Sequence, residues 1–241
     1  MLIDNKLSKY FLFAIGEILL VAIGILIAIS VDNWNEERKA ISRDITLYEK
    51  IIMDLKVEYG AVEDIIEKLK KDQDVHYHIY YETQGNAKYD SNLDYSKLRW
   101  THGYDPIVTN NHSDAAAYLA NERIRVLLNE YIKFETRSAQ ATEYWNAMKI
   151  NDIRPYLSRY GVFDSNEIFN DTPYEQPSLS KAKVVNYDKL KIQFGTVELD
   201  QLLFELRIKT AYSIRLFEEL LEGNTQLKLA LENEIELFKK K

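Results

Sequence analysis

The sequence predicts an all-α protein. An N-terminal transmembrane helix runs into a long amphipathic helix, which packs in a three- to four-helix bundle with irregular connectors. Three observations predict this. An apolar run near the N-terminus is long enough to cross a bilayer. A 3-4 spacing of apolar residues continues for some thirty positions beyond it. Only 4 prolines and 8 glycines occur in 241 residues, which leaves room for long uninterrupted helices.

The apolar run comes first. Tyr10 to Val31 is about 22 residues with one charge, Glu17, and at 1.5 Å per residue it covers roughly 33 Å, against a hydrocarbon core of about 30 Å. Aromatic residues flank it, with Tyr10 and Trp34 as the expected interface anchors. The boundaries read as a short tail at 1–9, a transmembrane helix at 10–32 and an extramembrane helical domain at 33–241. A cleaved signal peptide is the main competing reading, because Ala28-Ile29-Ser30 has the small-x-small pattern of a cleavage site. The run is too long for a signal core and contains Glu17, so a retained anchor is preferred. Charge counting barely separates the two orientations. Lys6 and Lys9 precede the span, and Arg38, Lys39 and Arg43 follow it.

The long amphipathic helix follows without a break. Ile41, Ile45, Tyr48, Ile52, Leu55, Tyr59, Val62, Ile66 and Leu69 step by 4 and 3 in alternation, a heptad seam. Ile51 and Ile65 widen the stripe, as a bundle requires. Carried back into the span, the same register passes through Trp34, Gly24 and Glu17. Gly24 and Ala28 form a small-xxx-small pair that permits close helix approach in lipid, and Gly16 adjoins Glu17. Glu17 has three readings: reach toward headgroup water, a hydrogen bond to another helix that fixes self-association, or an ion- or proton-coupled role with a partner.

Periodicity stops near 83. Residues 83–112 read as a connector with turn signals at Gln84-Gly85-Asn86 and Asp105-Pro106. Ser113 or Asp114 is placed to cap a helix beginning AAAYLA. NERIRVLLNEYIKFETRSAQATEYWNAMKI is a stronger helix, expected to end before Arg154-Pro155. A second connector covers 161–193, and VELDQLLFELRIKTAYSIRLFEELLEG begins the last amphipathic helix, which Gly223-Asn224 caps or kinks.

Chemistry is sparse. Net charge is −7, and no basic stripe favours nucleic acid. With no cysteine there is neither a disulfide nor a thiolate nucleophile. No phosphate-binding loop, nucleophile elbow or zinc motif occurs. His76-Tyr77-His78 would share a face only on a strand, and Asp72 and His76 only on a helix. No metal, cofactor or catalytic residue is expected. The 17 tyrosines read as half-buried packing, with a ligand surface as the alternative.

The first forty residues carry a family resemblance. Ala14-Ile15-Gly16-Glu17-Ile18, Ile23-Gly24-Ile25-Leu26-Ile27-Ala28 and Asn33-Trp34-Asn35-Glu36 resemble the amino-terminal signature of the DUF6090 proteins of Bacteroidota, which have no assigned activity. The departures are Phe13, Ser30 and Asp32. The resemblance implies that Glu17 belongs to the family signature. It also implies an inner-membrane, single-pass protein with its N-terminus in the cytoplasm and its domain in the periplasm. It lends no reaction.

The expected function is a membrane-anchored interaction or scaffold protein. It would self-associate or serve as an accessory subunit of a membrane complex, with the lipid bilayer as its other partner. The alternative is a periplasmic ligand-binding or sensor module.

Overall fold

The structure is a computed structural model that describes the backbone of residues 4–169 and 183–240, with side chains from 15 onward within those ranges. The side chain of Tyr10, residues 1–3 and part of the 161–193 connector lie outside the described residues.

Helix α1 runs from Asp4 to Thr83. No proline interrupts it, and the one glycine of its amphipathic part, Gly60, is too weak a breaker to stop a helix packed on one side. It ends where the turn signal lies: Gly85 has φ 72°, Asn86 N–H donates to Tyr81 O at 2.8 Å and Gly85 N–H to Glu82 O at 3.0 Å. This paired closure needs a left-handed residue, which glycine adopts without strain. The chain then makes a short 3-10 turn at Tyr95–Leu98, helix α2 (Ile107–His112), a second 3-10 turn at Ala115–Tyr118, and α3 (Glu122–Met148). Asn121 caps α3, its side chain accepting from Ile124 N–H at 3.2 Å. Asp114 makes no side-chain cap, so AAAYLA closes only one 3-10 turn.

Along the later helices the chain stays helical past two positions marked in the sequence. The third helix ends at Met148, before Arg154-Pro155, but the chain stays helical beyond it. A π turn at Lys149–Ile153 leads directly into α4 (Arg154–Arg159). Arg154 N–H bonds to Lys149 O, five residues back. The wider turn leaves room for the proline ring, which would otherwise collide with the carbonyl four residues before it. After α5 (Asn166–Phe169) and α6 (Tyr187–Lys191), helix α7 runs uninterrupted from Val197 to Lys239. Gly223-Asn224 neither caps nor ends it. Asn224 is 2% exposed and turns inward.

The chain divides into two compact units. The first is Met1–Lys50 with Glu234–Lys241. It holds the apolar segment and a small cluster in which the Tyr48 ring stacks on Phe238 at 6.4 Å. Burial, with Asp44 and Glu234 nearby, pushes the Tyr48 hydroxyl up to about 12.

The second unit, Ile51–Asn233, is a bundle built on α1, α3 and α7. Helices α1 and α7 are antiparallel here: Thr83 meets Asp200, Lys70 meets Glu218, and the Leu55 carbonyl meets Asn224. Trp145 on α3 donates its indole N–H to Thr210 on α7 at 2.9 Å. The start of the first connector and the described parts of the second are folded onto one end of this bundle, while Tyr104 and His112 reach Glu58 and Asp54 nearer the other. Tyr95, Leu98, Leu157, Val162, Val185 and Leu190 join Val75, Ile79 and Leu203 in one apolar cluster. The β content of the described residues is a single isolated bridge, Phe163 to Val185.

Candidate functional site

The apolar segment of α1 is the first candidate. Its most hydrophobic window has a mean hydropathy of 2.3 and none of it is buried within the chain. Gly16, Glu17, Gly24 and Ala28 are exposed. On a helix turning about 100° per residue, Glu17, Gly24 and Ala28 fall within roughly 40° of one another. A Cβ added at Gly16 or Gly24 meets nothing within 4 Å. Ser30 returns its hydroxyl proton to the Leu26 carbonyl at 2.8 Å, which satisfies its donor within the helix, as a helix long and apolar enough to cross a membrane requires. Trp34 is 59% exposed and carries the Arg38 guanidinium 5.1 Å above its ring. This suits an amphipathic ring at a membrane surface.

The seam of α1 lies one position from where the apolar pattern centres it. Ile45 is half-buried, and Tyr48, Ile52, Leu55, Val62, Ile66 and Leu69 are buried, but Tyr59 is 37% exposed. Glu58 takes its place with no exposure. The most deeply buried line in the second unit is Ile51, Leu55, Glu58, Val62, Ile65, Leu69, Asp72, His76 and Ile79. This line also steps by 4 and 3. An apolar count misplaces it because three of its members are polar.

Those polar members anchor two sealed networks. In the first, Glu58 accepts from the hydroxyls of Tyr104 at 2.7 Å and Tyr131 at 2.8 Å. Glu135 on α3 accepts from the N–H groups of Val108 and Thr109 at 2.9 and 2.7 Å, and from the Thr109 hydroxyl at 2.6 Å. The two carboxyls thereby hold the start of α2. Burial, then the hydrogen bond and charge of Glu58, push Glu135 up to about 9, so it holds a proton at neutral pH. Asn224 donates to Tyr131 at 3.1 Å and to the Leu55 carbonyl at 2.9 Å. Asn224→Leu is expected to cost about 1–3 kcal/mol in urea titration, because it strips a buried acceptor of its donor. A neutral outcome would show that the amide contributes only its volume.

The second network centres on Lys149, the first residue of the π turn. Its ammonium donates to Asp72 Oδ2 at 2.8 Å and to the carbonyls of Lys97 and Trp100 at 2.6 and 2.9 Å, 3.9 Å from the Trp145 ring centre. All three protons are used and the side chain is fully buried. Burial pulls Lys149 down to about 8 against the charge of Asp72. Burial alone would raise Asp72, but the hydrogen bond from His102 and the charge of Lys149 outweigh it and hold the carboxyl at about 2. His102 stacks on Trp145 at 5.2 Å. Burial, followed by the charge of Lys149, holds His76 down at about 3, so its ring is neutral.

A third cluster clasps the connectors. Glu82 accepts from the Tyr95 and Tyr187 hydroxyls and lies 3.1 Å from His78. His76 and His78 lie on the helix rather than on a strand, so their rings diverge and meet different neighbours. Among the described residues no three His, Asp or Glu side chains are grouped to hold a metal.

Glu58, Glu135 and Lys149 were not singled out from the sequence, and Asp72 was paired there only with His76, not with Lys149. The available signal was that Glu58 falls between Leu55 and Val62, and Asp72 between Leu69 and His76, at seam spacing.

The family model described as a family of unknown function (DUF6090) matches residues 17–153, more than half of the chain, from Glu17 through the π turn. No curated protein and no solved structure matches the chain.

Proposed function

From a chain that belongs to the DUF6090 family, for which no function is assigned, we propose a membrane-anchored interaction protein that works by association rather than catalysis. Its partners would be the lipid bilayer and either a second copy of itself or the subunits of a membrane complex. The observation that carries this reading is the face formed by Glu17, Gly24 and Ala28. It presents a carboxylate and two small residues from an apolar helix that nothing covers among the described residues. A carboxylate in hydrocarbon is costly unless it meets a hydrogen-bonding partner, and small residues let a second helix approach closely enough to supply one.

The proposed site is the inner membrane, with the N-terminus in the cytoplasm and the helical domain in the periplasm. Lys6 and Lys9 support this orientation, since a long following domain translocates largely regardless of Arg38, Lys39 and Arg43.

The test is the mass of the full chain in mild detergent, with co-purifying proteins identified. Wild type is expected as a defined oligomer or a stoichiometric complex. Glu17→Gln and Gly24→Leu are expected to lose it while helicity and melting stay unchanged. A wild-type monomer without a partner, or variants that associate as wild type does, would rule out the intramembrane contact.

A further inference from the structure

Outside the sealed networks, one cavity in the second unit combines charge with an aromatic wall. It measures about 270 Å³ between α1 and α7. Tyr77, Tyr80 and Tyr81 line it from α1, and Leu203 and Phe204 from α7. Tyr77 and Tyr81 stack at 6.4 Å, and Phe204 is 57% exposed although it faces a groove of apolar side chains.

Two opposite charges sit at the ends of this groove. Asp200 and Arg207 are seven residues apart on α7, so they share a face at about 10 Å axial separation. Arg207 lies 4.4 Å above the Tyr77 ring and makes no ion pair among the described residues. Its edge donors are therefore open to a planar anion. Asp200 has one long contact, from the Thr83 hydroxyl at 3.5 Å. The favourable position of an acid in the first turn of a helix accounts for Asp200, but it leaves Arg207 unexplained.

A third observation is independent of these charges. His76 forms part of the inner wall, and both of its ring nitrogens are buried without a hydrogen-bond partner. That burial keeps the nitrogens out of reach of a ligand in the groove, and the ring is neutral, so the floor adds no charge to the two at its ends.

We propose that this groove binds a small zwitterion. Its carboxylate meets Arg207, its ammonium meets Asp200, and its apolar body lies against Tyr77, Tyr81 and Phe204. The tyrosine faces add attraction for the ammonium, and the volume suits a small molecule. The groove's two charges cancel, so a ligand with a single charge leaves one of them unmet and binds less well.

The test is calorimetric titration of the full chain in detergent with ω-aminooctanoate, whose extended length suits the spacing. Octanoate, octylamine and the shorter ω-aminobutyrate serve as comparisons. ω-Aminooctanoate is expected to bind at least about tenfold more tightly than each comparison. Arg207→Gln and Asp200→Asn are each expected to lose about tenfold, with unchanged helicity. Phe204→Ala, an exposed position whose loss leaves the core intact, is expected to weaken binding without altering the preference for two charges. Absence of ω-aminooctanoate binding, equal binding of the four probes, or unchanged affinity in both charge variants would overturn the proposal.

Discussion

Asp72→Leu is expected to cost about 3–5 kcal/mol of unfolding free energy at neutral pH, the usual penalty for stranding one member of a buried pair. Lys149 would keep the Lys97 and Trp100 carbonyls and the Trp145 face, but lose the anion that balances its charge. Lys97 and His102, which also point at Asp72, are 25% and 14% exposed and can turn toward water. The loss should depend on pH. Burial already holds Lys149 at about 8, and without Asp72 it falls further. In alkali the stranded ammonium escapes by giving up its proton, so the loss at about pH 9 is smaller than at about pH 6. The double variant Asp72→Leu/Lys149→Met is expected to recover most of the stability, because a well-packed apolar pair of similar volume can replace a buried ion pair. Urea titrations of the single and double variants at both pH values check this. An equal loss in the single and the double variant would mean that side-chain shape, not charge, decides the site.

Glu135→Gln is expected to gain stability relative to wild type as pH rises from mild acid to mild alkali. The folded protein raises Glu135 from its ordinary 4.5 to about 9. Between those values the native state holds a proton that the unfolded chain has released. Stability from this group is therefore complete below about 4.5 and is lost as pH climbs through about 9. Glutamine keeps one acceptor oxygen for the α2 amides and a donor toward Glu58 without that titration; it loses the second oxygen, a cost that does not change with pH. The difference between wild type and variant should grow to several kcal/mol over this window. Taking the difference removes the opposing contributions common to both proteins. His76, held at about 3, gives stability that is present above 6.5 and is lost as pH falls toward 3. Lys149 adds stability as pH rises from about 8 toward 10.5. A pH-independent difference would place the proton elsewhere in the cluster.

Both variants act on groups whose roles a local reading of the chain does not reveal. Glu58 and Asp72 resemble the solvated acids of any helix surface, and Lys149 lies in a stretch where the helix was expected to end. Their partners are far away in sequence: Lys149 is 77 residues from Asp72, and Tyr131 is 73 from Glu58. No window of one helix contains both members of either pair. Asn224 misled for a related reason. Beside Gly223 it reads as a helix stop, yet the Leu55 carbonyl and Tyr131 give its amide an interior role that keeps α7 continuous. The Asp200–Arg207 face was equally hidden, because only the tyrosines of α1 turn that stripe of α7 into a cavity wall.

What the sequence determined by itself is the part governed by local physics. The apolar run, the lone Glu17 with Gly24 and Ala28 on its face, the unbroken α1, the glycine closure at Gly85 and the all-helical class follow from hydropathy, periodicity and backbone preference. These act over a few residues and need no partner. Tertiary structure alone decided which side of α1 lies deepest, why Tyr59 yields that place to Glu58, how a π turn carries the chain past Pro155, and which charges are buried. A polar side chain enters a core only when a distant segment supplies its hydrogen bonds and counter-charge, so its burial is a property of the assembled fold rather than of its neighbours in sequence.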